Sequence, residues 1–248
     1  MTDMAPSSFF DPADSPAAAE VVAVLEEIAD AELATGMAAY MRNQFQFFGV
    51  ATPPRRAACK HIVAQLRRTS STPNWEFINA LWEMPQRECQ YIAVDYLRKY
   101  KLIARDLDNV KNLVEAKSWW DTVDYLAKSA GTTLVLETSS QADTAAARAR
   151  MLEWAHSENM WTRRVALLCQ LSFGNTTDTD LLSQVIESNL GAEAAFSTEF
   201  FITKAIGWAL RDYARHNPEW VRDFVTTHGA SSDLPLQKLS QREALKHL

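Results

Sequence analysis

The chain is predicted to be all-α, and three observations predict it. Glycine is scarce, with seven in 248 residues, against a usual share near ~7%, so few positive-φ hairpin turns are available. Neither a GxGxxG nor a GxxxxGK pattern occurs, and no run alternates Val, Ile or Thr with polar residues, which leaves no dinucleotide fold, no P-loop and no strand signal. Apolar residues instead recur at spacings of three and four almost throughout. With 47% apolar and 23% charged residues, the chain has the composition of a folded globular protein, and this length is enough to bury a large core.

Residues 1–16 contain Pro6, Pro12 and Pro16 among small and polar residues and read as a loose N-terminal arm. Ala17–Leu33 follows as a helix with Val21, Val22, Leu25 and Ile28 on one face, and Met37–Phe48 as a second, ended by Gly49. Three starts combine a capping oxygen with proline in the first turn: Thr52-Pro53, Thr72-Pro73 and Asn217-Pro218. The cap side chain satisfies an orphan N–H, and proline has none to leave unsatisfied. Further helices are expected at Pro53–Arg68, Trp75–Trp82, Gln86–Tyr100, Leu107–Ala116, Ser118–Ser129 and Ala142–His156. The pattern continues through Met160–Leu171, Asp178–Ser188, Thr198–His216, Glu219–Thr227 and Gln237–His247. No break in composition divides residues 17–248, which read as one domain. So many helices joined by short turns predict an α-solenoid of antiparallel helix pairs.

No stretch approaches the ~20 apolar residues of a membrane span, and the N-terminus lacks the basic and apolar regions of a secretory signal. Cys59, Cys89 and Cys169 are odd in number and far apart, fitting neither a disulfide framework nor a zinc site. A cytoplasmic protein without metal or cofactor is expected. Charge is uneven. Residues 1–40 carry eight acidic residues and no Lys or Arg, residues 41–248 carry 25 basic against 23 acidic, and the net charge is −6. Residues 41–130 alone hold 14 basic against nine acidic residues, a basic body behind an acidic start.

Three groups have spacings suited to chemistry. In Lys117-Ser-Trp-Trp-Asp-Thr-Val-Asp124, neighbouring tryptophans point about 100° apart on a helix, so one can anchor the core while the other faces outward. Trp120 and Asp124 stand one turn apart on one face, and an aromatic surface beside a carboxylate suits a planar cation. A core tryptophan with a capping aspartate is the plainer alternative. Trp161 and Arg164 form a second pair, for which an ordinary ion pair is the alternative. Lys204, Trp208 and Arg211 share a face at i, i+4 and i+7, and the mid-helix Gly207 implies a close approach, by another helix or by a ligand. The five histidines form no HExxH motif and pair with no cysteine in sequence, and no GxSxG occurs.

Together these segments resemble the DNA alkylation repair family of AlkD-like DNA glycosylases, built from HEAT-like repeats. The resemblance rests on MAAYMRNQFQFFGVATPPRR (Met37–Arg56), KSWWDTVD (Lys117–Asp124), NMWTRRVALLCQL (Asn159–Leu171), FFITKAIGWALRDYA (Phe200–Ala214) and LSQREALKH (Leu239–His247). It implies a monomeric enzyme that binds duplex DNA on a concave face and hydrolyses the N-glycosidic bond of cationic alkylpurines, N3-alkyladenine and N7-alkylguanine, without flipping the base. Matching positions make Asp124 the catalytic carboxylate, Trp120 and Trp208 the aromatic walls against the lesion, and Arg164 the active-site arginine that holds the backbone beside it. Tyr40, Thr52, Arg56, Lys204 and Arg211 match DNA-contacting positions. Ala51 stands where some relatives have a polar residue. The chemistry agrees: an alkylated purine is already a charged leaving group, and a carboxylate need only stabilise the developing oxocarbenium ion. The alternative is a non-catalytic helical module that binds DNA structures or a protein.

Overall fold

The computed structural model describes residues 15–135 and 140–248. Among these residues there are fourteen α-helices and no strand, and one isolated bridge joins Gln46 to Gln86. Two compact units form, one ending at Tyr100 and the other spanning Lys101–Leu248. No described helix is long and apolar enough to cross a membrane.

The first unit contains α1 (Pro16–Glu26), α2 (Ala31–Tyr40), α3 (Thr52–Ala58), α4 (Lys60–Thr69), α5 (Trp75–Glu83) and α6 (Arg87–Leu97). Helices α5 and α6 pack together around the fully buried Phe77, Ile78, Leu81, Tyr96 and Leu97. Phe77, Tyr96 and Tyr100 meet edge to face with successive centroids 5.1 Å apart. Their polar ends are satisfied, because the Tyr100 hydroxyl donates to that of Tyr96 at 2.9 Å and the Asn74 N–H donates to the same oxygen at 3.1 Å.

The second unit contains α7 (Leu107–Ala116), α8 (Trp120–Gly131), α9 (Gln141–Trp154), α10 (Met160–Leu168), α11 (Thr179–Glu187), α12 (Phe200–Ala214), α13 (Pro218–Thr227) and α14 (Lys238–Ala244). Helix α10 is its centre: residues 161–170 are all buried, and α7, α8, α9, α11 and α12 pack around it. Asn159 starts α10 by accepting from the N–H groups of Trp161 and Thr162 at 2.9 and 3.2 Å, as an N-cap should. Arg163, buried, ties this helix to its neighbours by donating to the carbonyls of Ser157 and His156 and to the Asn189 side chain. Leu107–Ala116 forms as predicted, and Asn217 caps α13 through the Trp220 N–H.

Several expectations are corrected. The helix expected over Ala17–Leu33 is two helices, because Asp30 accepts from Glu32 N and Leu33 N and restarts the chain; Ile28, past the end of α1, is 42% exposed. Met37–Phe48 is not one helix: α2 ends at Tyr40, and Arg42 and Asn43 take positive φ. Beyond them the buried Glu88 carboxylate accepts the N–H groups of Phe48, Gly49 and Val50 at 3.1, 2.9 and 3.0 Å. That arrangement holds residues 48–50 in a non-helical turn in which Gly49 has a φ of 87°. Thr52 is inside α3, whose cap is Ala51, and α5 starts from Asn74 and not from Thr72. Pro53–Arg68 divides into α3 and α4, although Cys59 keeps helical hydrogen bonds on both sides. Pro16 belongs to α1; the remainder of the expected arm, Ser15 excepted, lies outside the described residues.

Candidate functional site

The residues singled out in KSWWDTVD, NMWTRR and FFITKAIGW meet where α8, α10 and α12 pack side by side. Asp124 lies on the second turn of α8, with its side chain 15% exposed, and Arg164 on α10, with its side chain 4% exposed. The guanidinium grips the carboxylate with two parallel bonds, Nε to Oδ1 at 2.7 Å and Nη2 to Oδ2 at 2.9 Å, the planar geometry that arginine alone provides. Its third nitrogen, Nη1, donates to the Phe201 carbonyl in the first turn of α12 at 2.5 Å. Arg164 therefore joins three helices and fixes the rotamer of Asp124. Burial pushes the Asp124 carboxyl above the ordinary range, and the hydrogen bond and charge of Arg164 pull against that rise.

The two tryptophans divide, though not by rotation along a helix: Trp119 caps α8 with extended backbone (φ −162°, ψ 155°), and only Trp120 is helical. Trp119 joins an aromatic cluster, with centroids 5.6 Å from Trp161 and 5.2 Å from Phe201, while Trp161 and Phe201 lie 4.8 Å apart. Trp161 is thus a core ring behind Arg164. Trp120 opens α8 one turn before Asp124 and is half-buried, as is Trp208 on α12.

Lys204 and Arg211 converge on one acid that the sequence reading did not single out, Glu243 of α14. Lys204 Nζ is 2.9 Å from Oε1, and Arg211 Nη1 bonds Oε2. Lys204, followed by Arg211, holds the Glu243 carboxyl below its usual range. Gly207 makes this possible: a Cβ there would lie 2.6 Å from Glu243 Cβ and 3.0 Å from the Ser240 carbonyl oxygen. The close approach anticipated at Gly207 is therefore made by another helix. Ser240 completes the contact by donating to the Thr203 carbonyl at 2.7 Å. The only prior sign of Glu243 was its place in LSQREALKH.

The remaining positions lie in the first unit. Tyr40 is 73% exposed. Thr52 is exposed, and its hydroxyl accepts from Arg55 Nη2 at 3.3 Å. Arg56 forms a bidentate pair with Asp95 at 2.8 and 2.7 Å while half of its side chain meets solvent. Within this unit a groove of about 610 Å³ has Arg56, Lys60, Arg67, Arg98 and Lys99 on its walls, with Asp95 its one acid. Among the described residues no group of three or more His, Cys, Asp or Glu is arranged to hold a metal ion.

Comparisons with known proteins show the family. Residues 21–248 match the family model described as DNA alkylation repair enzyme. A solved structure titled as a predicted DNA alkylation repair enzyme from Enterococcus faecalis is similar to this chain at 32% identity and a TM-score of 0.72, covering 89% of this chain and 96% of that one. No curated protein matches. The chain belongs to the DNA alkylation repair enzyme family.

Proposed function

We propose that the protein is a monofunctional alkylpurine DNA glycosylase, hydrolysing the N-glycosidic bond of N3-alkyladenine and N7-alkylguanine in duplex DNA without base flipping, as a monomer with no metal or cofactor. The observation that carries this reading is the Asp124–Arg164 pair: a mostly buried carboxylate, locked in one rotamer, one helical turn from the half-buried Trp120. Protonating the leaving group is unnecessary, because an N3- or N7-alkylated purine departs as a neutral base. The cleavage step puts positive charge on the sugar, where a preoriented carboxylate is worth most. Asp124 stabilises that charge and orients the attacking water, whose proton passes to solvent as the hemiacetal forms.

Arg164 is assigned the role of holding Asp124 in place. All three of its nitrogens bond within the protein, so it supports the carboxylate more than it grips DNA. Trp120 and Trp208 favour a cationic base over a neutral one by roughly 0.5–2 kcal/mol each. That is modest selectivity, and the intrinsic lability of the lesion supplies much of the rest. The cationic groove of the first unit supports binding of the DNA backbone, with affinity that falls steeply with salt.

Incubating methylated duplex DNA with the protein tests the reaction. Free methylpurine and alkali-labile abasic sites, with strands unbroken before alkali treatment, are the expected products. Strand breaks formed by the protein itself would contradict a monofunctional glycosylase, and DNA binding with no base release would favour the non-catalytic module.

A further inference from the structure

We propose that Glu243 is a positioning residue for the substrate: its carboxylate gathers Lys204 and Arg211 beside Trp208 into a two-pronged clamp for one phosphate of the DNA backbone. The proposal rests on the DNA reading above and adds to it a group that itself never meets DNA.

Lys204 and Arg211 stand two turns apart on α12, about 10 Å along its axis. Left alone, two like charges on long side chains would swing apart into solvent. Glu243 reverses that tendency. One carboxylate oxygen takes the Lys204 ammonium and the other takes Arg211 Nη1. Both charges are thereby drawn toward the middle of the helix, over Gly207 and next to Trp208, and the missing side chain at Gly207 is what lets Glu243 come this near.

Exposure is graded in the direction a clamp needs. The Glu243 side chain is 9% exposed, Arg211 19% and Lys204 38%, so the anion lies behind and the cations in front. An ammonium carries three donors and a guanidinium five. One of each is directed at Glu243, which leaves the others for an acceptor arriving from solvent. Lys204, then Arg211, hold the carboxyl below its ordinary range, so it stays ionised. The three groups together carry one net positive charge, matched to one phosphate. Stability alone is a weak reason for such a cluster, because a buried ion pair repays little beyond its own desolvation.

The test makes two measurements on wild type, Glu243→Gln, a Lys204→Met/Arg211→Met double variant and the corresponding triple variant. One is affinity for an unmodified duplex across a salt series; the other is single-turnover release of N7-methylguanine from a duplex saturated with protein. Glu243→Gln keeps the shape and removes the charge. It is expected to bind the duplex at least as tightly as wild type, with a salt slope steeper by about one. It should nevertheless release the base roughly tenfold more slowly, because the freed cations hold the phosphate out of register. A merely loosened α14 would instead weaken binding and release together. In the background lacking both cations, Glu243→Gln slows release no further, since Glu243 acts through them. Should Glu243→Gln fail to fold, Glu243→Asp takes its place: still charged but one methylene shorter, it keeps the wild-type salt slope and shows the same slower release. Unchanged release, binding that weakens with no change of slope, or a further loss in the triple variant overturns the proposal while leaving the glycosylase reading intact. A wild type that binds no DNA or releases no base removes both.

Discussion

Replacing Arg164 by methionine probes the site where its geometry is most demanding. The change removes a fork of two charge-assisted bonds to Asp124 and a third bond to the Phe201 carbonyl, and it leaves a carboxylate only 15% exposed without its partner. Breaking one side of such a pair costs about 3–5 kcal/mol. At ~2–4 °C per kcal/mol for a chain of this size, the second unit should melt roughly 10 °C lower. The pH dependence gives a sharper readout. Burial raises the Asp124 carboxyl and Arg164 opposes that rise, so the variant's carboxyl moves further up and the acid limb of base excision moves to higher pH. The stability sign follows from the same shift. A carboxyl whose folded pKa is raised contributes stability that is present below its unfolded pKa and lost as pH rises through the folded value. Arg164→Met is therefore least impaired in acid and loses ground to wild type as pH increases. Calorimetry across pH, together with single-turnover excision profiles, measures both effects. A variant that melts with wild type and keeps the same acid limb would refute the assignment of Arg164 as the anchor of Asp124.

Other perturbations follow from the same contacts. Gly207→Ala should destabilise by about 1–3 kcal/mol through overpacking against Glu243 and Ser240, despite alanine's better helix propensity; a higher melting temperature would show that α14 yields easily. Glu243, held below the ordinary carboxyl range chiefly by Lys204, contributes stability that is present above its unfolded pKa and lost as pH falls through its folded value. Glu243→Gln should accordingly melt with a flatter pH profile in acid, and an unchanged acid slope would contradict the assignment. Glu88→Gln removes the charge that accepts three backbone N–H groups, so hydrogen exchange at residues 48–50 should accelerate at least tenfold, as the loss of about 1.5–3 kcal/mol predicts.

Much of this was legible in the sequence, for identifiable reasons. The scarcity of glycine and the spacing of three and four gave the all-helical fold; of the three capped starts read from the sequence, the one at Asn217 holds, whereas Ala51 and Asn74 take the places expected for Thr52 and Thr72. The one-turn spacing of Trp120 and Asp124 was enough to place those residues on one face of α8. Features missed depend on distant partners. Residues 44–48 belong to the helix expected over Met37–Phe48 yet are not helical, and Glu88, some forty positions away, takes the N–H groups of Phe48, Gly49 and Val50. Lys204 and Arg211 read as DNA-contacting cations on one helix face, whereas Glu243 on another helix pairs with both. The adjacent Arg163 and Arg164 look equivalent in sequence; burial among carbonyls makes the first structural, while the Asp124 carboxylate draws the second into the candidate site.

The central claim is that Asp124 drives cleavage of the glycosidic bond. The direct test is the single-turnover rate of N7-methylguanine release from a defined duplex, for wild type and Asp124→Asn, with both proteins folded and saturated with DNA. Asparagine keeps the shape and one hydrogen bond to Arg164 but removes the charge. The account predicts release by wild type well above spontaneous depurination and a loss of roughly 10²–10⁴-fold in the variant. Equal rates for the two proteins, or no release by wild type, would contradict it.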